Sequence, residues 1–197
     1  MSSHFEPLAG GGAAVALDEV EISILRSLAV QLLELIGPGD EPAQGEDPLA
    51  ALFVDGPSEP PSDPALARLF PEAYGGPGDD PEDKELRAAS AEFRRFTEND
   101  LRSRKRDDAL AMVRTLDALT PAGDGGAVLE LGGEDCRHWL GALNDLRLTI
   151  GTRLDVGDED ENSLLYRLPD SDPRKPMVMA YLWLGALQET LVETLMP

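Results

Sequence analysis

Apolar positions along the chain recur at two different periods, and the changes of period divide it into elements. Phe5 to Leu8 and Ala13 to Leu17 flank Ala9-Gly10-Gly11-Gly12, the pattern of a short β-hairpin closed by a glycine turn. From Asp18 the period changes to that of a helix. Asp18 is a natural cap, Glu21 completes a capping box, and Ile22, Leu25, Leu28, Ala29, Leu32, Leu33 and Ile36 mark one face before Gly37-Pro38 stops it.

Residues 37–83 lose the period. They hold ten of the sixteen prolines and seven glycines among many acids, interrupted by two apolar islands, Leu49 to Val54 and Leu66 to Phe70. This composition predicts a loop-rich acidic insert pinned by short helical turns, with a disordered segment as the alternative. Helical spacing resumes after Asp83. Leu86, Ala89, Phe93 and Phe96 form one stripe, and Ala109, Leu110, Met112, Val113, Leu116 and Leu119 another. Between them Arg102 to Asp108 contain no apolar residue. Either a new helix begins near Thr97, or one long helix projects into water there.

Ala127 to Leu131 is strand-like, and a helix follows on which Trp139, Leu143, Leu146, Ile150 and Leu154 fall three or four apart. A polar acidic loop covers Gly157 to Asn162. Met177 to Met196 forms a last helix that is apolar round much of its girth, which places it in the core or at an interface. The fold class predicted is mainly α: a helix bundle with a small antiparallel β-sheet made from the N-terminal hairpin plus one short strand. Residues 1–197 read as a single domain carrying the insert.

At 197 residues the chain can fill one core. Its net charge of −21 disfavours direct DNA binding, which depends on neutralising phosphates, and points to a protein partner with basic patches. Residues 84–114 are the exception, at +3, against −15 before them and −9 after them. There Arg102, Lys105 and Arg106 share a helical face. They could meet an acidic partner or a phosphate, lie in solvent with Arg104 paired to Asp108, or fold the acidic insert onto the helix. The chain shows no signal-peptide pattern and no apolar run that would span a membrane, so a cytoplasmic protein is expected.

Polar residues threaded beside the Trp139 stripe are the candidate site. Asn144, Asp145, Arg147 and Arg153 either lock a core helix through internal hydrogen bonds or form a face for a docking partner. Cys136 is the only cysteine, so a four-cysteine zinc site is excluded; near a helix N-terminus its thiol is a candidate redox group, and as a buried side chain it would act as a small hydrophobe. His138 has only His4 as a second histidine, so no metal is expected. No phosphate loop, nucleophile elbow or zinc motif occurs, so no catalytic residue or cofactor is assigned. The remaining alternative is an enzyme or small-ligand protein whose pocket is lined by Asn144, Asp145 and Arg147.

The run Leu143-Asn144-Asp145-Leu146-Arg147-Leu148-Thr149-Ile150-Gly151-Thr152-Arg153-Leu154 resembles the signature helix of an actinobacterial domain-of-unknown-function family that includes the oxidative-stress regulator AosR. Tyr181-Leu182-Trp183-Leu184 through Gln188-Glu189 resembles that family's last helix, and Leu17-Asp18 through Leu28 its first. This resemblance implies a mostly helical cytosolic regulator in oxidative-stress or cysteine-metabolism gene control. It also implies a sigma factor as the protein partner and a cysteine-based switch. With one cysteine, an intrachain disulfide cannot form, so such a switch would need an intermolecular disulfide, a sulfenic acid or a mixed disulfide. The apolar surplus of the last helix (Met177, Met179, Tyr181, Leu182, Trp183, Leu184, Leu187, Leu191, Leu195 and Met196) is expected either to be buried in the monomer or to pair in a homodimer.

Overall fold

A computed structural model describes residues 3–38, 55–74, 83–120, 125–156 and 167–196. The apolar island at Leu49 to Val54 and the acidic loop from Gly157 to Asn162 lie outside these residues. In chain order the elements are β1 (Glu6–Pro7), β2 (Ala13–Leu17), α1 (Glu19–Ile36), α2 (Pro64–Leu69), α3 (Lys84–Asp117), β3 (Ala127–Leu131), α4 (Gly133–Arg153) and α5 (Lys175–Leu195).

The sheet is antiparallel in the order β1-β2-β3, with Val15 opposite Leu129 and Ala13 opposite Leu131. Gly12 turns the hairpin at φ 94°, in the left-handed region where glycine carries no Cβ penalty. It also packs so closely on the Leu131 carbonyl that any Cβ there would overlap the oxygen. Asp18 then starts α1 through the predicted capping box: its Oδ1 accepts from Glu21 N at 2.8 Å, and Glu21 Oε2 accepts from Asp18 N at 2.9 Å.

The core centres on Trp139 of α4. Its indole Nε1 donates to Thr115 Oγ1 at 2.9 Å, and the Phe5 ring meets its edge at 6.0 Å between centroids. Leu143, Leu146, Ile150 and Leu154 are buried along the same stripe, against Leu25 and Leu32 of α1, Met112 and Leu116 of α3, and Leu184, Leu187 and Leu191 of α5. Helix α4 is the hub: it packs on α1, α2, α3 and α5.

Of the two courses open for α3, a break near Thr97 or one long helix, the structure takes the long helix. It runs unbroken for 34 residues, and Thr97 sits inside it with its hydroxyl donating to the Phe93 carbonyl at 2.8 Å. The predicted stripe of Phe93 and Phe96 faces solvent, and the buried side chains of that half are Ser90, Arg94 and Glu98. The reason is hydrogen bonding. Arg94 donates through Nη1 and Nη2 to the Phe70 carbonyl, both at 3.1 Å, and pairs with Glu98; Glu98 Oε1 in turn accepts from Arg102 at 2.7 Å. Ser90 Oγ bonds both backbone groups of Tyr74. A buried charge is tolerated when it is paired and its hydrogen-bonding capacity is satisfied, and here the segment 55–74 supplies the carbonyl.

Candidate functional site

The basic cluster is used internally, and its residues do not form a solvated face. Arg102 Nη1 donates to the Ile36 carbonyl at 2.7 Å, its guanidinium lies 4.3 Å over the Phe70 ring, and Arg106 Nη1 donates to the Gly37 carbonyl. The last turn of α1 carries no basic side chain of its own. Its exposed carbonyls and negative dipole end are met by two arginines from α3. Lys105 Nζ reaches across to α4, 2.6 Å from Asp145 Oδ1. Asp108 does not serve Arg104: its Oδ1 stands 2.7 Å from His138 Nδ1. The insert is also tied to α3 where Gly56 N donates to the Arg95 carbonyl at 2.8 Å and Asp55 lies 3.6 Å from Arg95 Nε.

The four polar residues of α4 do not converge. Asp145 is buried and turns toward α3, where burial pushes its carboxyl up from the ordinary aspartate value against the opposing pull of Lys105. One oxygen meets Lys105 and the Asn144 amide, at 3.5 Å; the other, Oδ2, is buried without a hydrogen-bond partner. Arg147 turns toward α5. Its Nη1 donates to Gln188 Oε1 at 2.8 Å, its guanidinium lies 5.2 Å from the Tyr181 ring centroid, and Gly185 leaves room for it. Residues two positions apart on a helix are separated by about 200°, so Asp145 and Arg147 point to different neighbours. Asn144 and Arg153 are exposed.

Cys136 is fully buried behind the β2–β3 pair, its Sγ 3.7 Å from the Leu131 carbonyl. Burial pushes the thiol up, with the Asp135 charge adding to the rise, and this outweighs the helix N-terminus that would favour thiolate. Among the described residues no group of three or more His, Cys, Asp or Glu side chains is placed to hold a metal ion. No helix of the described residues is long and apolar enough to cross a membrane.

Sequence reasoning missed the Asp108–His138 contact and the Arg94–Glu98–Arg102 ladder. The second had a visible signal: three charged residues at strict four-residue spacing.

These features define a mainly α protein built round a tryptophan-centred hub helix whose Asp145 is paired with Lys105 of α3 and whose Arg147 is held by Gln188 and Tyr181 of α5. Residues 2–195 match the family described as Domain of unknown function (DUF2017), and the chain belongs to that family. It is 31% identical over 181 residues to the oxidative stress regulator AosR of Mycobacterium tuberculosis (strain ATCC 25618 / H37Rv), covering 89% of this chain and 78% of that protein. The oxidative stress regulator AosR of Mycobacterium bovis is similar to the same extent. A Mycobacterium leprae relative is 30% identical over 190 residues, covering 89% of this chain and 79% of its own. No solved structure matches the chain.

Proposed function

We propose that this chain is a cytoplasmic, non-enzymatic regulator of oxidative-stress or cysteine-metabolism genes that acts by binding another protein. The observation that carries this reading is the similarity to the oxidative stress regulator AosR over 89% of the chain. The geometry of α4 supports it. An active site gathers reactive groups round one point, whereas Asp145 and Arg147 are each engaged by a different neighbouring helix. Asn144 and Arg153 are the candidate polar side chains of α4 that stay exposed, about half a turn apart round the helix, and Arg153 is the docking contact in this reading. With a net charge of −21, the chain suits a basic protein surface and repels DNA. A sigma factor is the partner that the family resemblance suggests.

Deletion of the gene, with complementation, tests the regulatory role. Loss should alter survival and transcript levels after peroxide, and the wild-type chain should restore both. A deletion strain indistinguishable from its parent under peroxide would overturn it.

A further inference from the structure

We infer that residues 55–74 form a strap that lifts off the α3–α4 surface as one unit while the helix bundle stays folded. The inference is independent of the regulatory reading, because it draws only on how this segment is held.

Two unlike contacts hold the strap. On one side α2 packs on α4, with Ala65, Leu69 and Phe70 buried. On the other side α3 reaches the strap chiefly through polar groups. Arg94 gives both terminal nitrogens to the Phe70 carbonyl, and the Arg102 guanidinium lies over the Phe70 ring. Ser90 Oγ bonds both backbone groups of Tyr74, Gly56 N donates to the Arg95 carbonyl, and Asp55 lies 3.6 Å from Arg95 Nε. The ring contact on this side, Tyr74 edge-on to Phe93 at 5.9 Å, joins two exposed side chains.

This division sets the cost of opening. Lifting an element off an apolar core exposes hydrocarbon on both sides of the contact. Here the α3 side is made of Ser90, Arg94, Glu98 and Arg102, and water can take over the hydrogen bonds that the strap now fills. Arg94 and Glu98 lie one turn apart on the same helix and stay paired when the strap leaves. Hydration returns the desolvation cost that offsets such a pair when it is buried. Arg102 keeps the Ile36 carbonyl, which belongs to α1. The bundle has its own connections: α1, α3 and α5 pack directly on α4, and Trp139 is held by Thr115 and Phe5. A segment with few buried apolar side chains and water-replaceable contacts opens at lower free energy than the core.

The two forms show different surfaces. Closed, the strap covers the Arg94–Glu98–Arg102 ladder and buries its own Leu69 and Phe70. Open, α3 presents two arginines flanking Glu98, and the strap presents an apolar pair. A molecule that prefers either form shifts the balance by its difference in affinity, which makes the strap a conformational switch.

Hydrogen exchange of the full chain, read amide by amide by NMR across sub-denaturing urea, tests this. The Gly56, Ala67 and Phe70 amides, which donate to the Arg95, Asp63 and Leu66 carbonyls, should exchange through one shared opening. Their protection should be at least roughly tenfold below that of Leu143 and Leu146 in α4, with a smaller urea slope because less surface is exposed. Arg94→Gln removes the bond to the Phe70 carbonyl and should speed strap exchange roughly tenfold, leaving α4 unchanged. Gly56→Ala should act in the same direction, since its Cβ would meet the Arg95 carbonyl at 3.0 Å. The proposal is overturned by strap and α4 amides that share one protection and one urea slope, or by strap amides that open separately from one another. It is equally overturned if both variants leave strap exchange unchanged, speed α4 as much as the strap, or unfold the chain.

Discussion

Lys105 and Asp145 join the middle of α3 to the hub helix across 2.6 Å, with only 2% of the Asp145 side chain and 14% of the Lys105 side chain exposed. Both residues come from segments whose polar chemistry points outward in the sequence pattern. Their pairing turns a candidate binding cluster into a helix–helix contact. Asp145→Ala should therefore destabilise the chain by about 3–5 kcal/mol, because it leaves a buried ammonium without its counter-charge. The double replacement K105M/D145L should recover most of that loss. Urea unfolding of the three proteins checks both statements, and equal stability of D145A and wild type would remove the pair's structural role.

The same carboxyl gives a pH signature. Burial raises the Asp145 pKa in the folded state above its unfolded value. The folded chain therefore takes up this proton at higher pH than the unfolded chain, and the group's contribution to stability is largest below the unfolded pKa and is lost as pH rises through the folded one. Wild type should gain stability relative to D145N as pH falls from neutrality toward the ordinary aspartate range. Unfolding midpoints across that window decide the sign; a gap that narrows on acidification contradicts it.

Gly141 lies where any Cβ would overlap the Asp108 carboxylate, which His138 holds at 2.7 Å. Gly141→Ala should cost about 1–3 kcal/mol through this clash. In an Asp108→Ala background the obstacle is gone, and the helix preference for Ala over Gly, about 1 kcal/mol, should make the same change stabilising. A double-mutant cycle measured by thermal melting reads the reversal directly.

Cys136 should react slowly with a thiol reagent in the native chain and rapidly in urea, because its sulfur is buried at the β2–β3 corner and burial disfavours the thiolate. Stopped-flow labelling measures both rates. Native labelling as fast as that of a free thiol would show that this corner opens readily and would support peroxide sensing there.

Legibility from sequence followed the physics of each element. The hairpin, the capping box at Asp18 and the Trp139 stripe were readable because local chemistry and period agree there: Asp18 and Glu21 cap each other, and Gly11 and Gly12 of the turn sit at positive φ. On α3 they conflict. Phe93 and Phe96 look like core and are exposed, while Arg94 and Glu98 look like surface and are buried. What inverts the face is the Phe70 carbonyl, some two dozen residues away, and no periodicity records a long-range acceptor. The Arg102 and Arg106 caps on α1 were unreadable for the same reason, since the helix they complete ends about 66 residues earlier. For the candidate site, the sequence placed Asn144, Asp145 and Arg147 on one helix, but the neighbours that separate them, Lys105 and Gln188, emerge only from packing.

Protein binding is the central claim, and co-purification tests it most directly. The tagged full chain, expressed at native level, is cross-linked before and after peroxide, and its partners are quantified by mass spectrometry. The account predicts one transcription protein at a fixed ratio to the chain, with peroxide changing the amount bound and an Arg153→Glu variant capturing less. A chain that purifies alone under both conditions, in cells whose peroxide response still depends on it, would contradict the account.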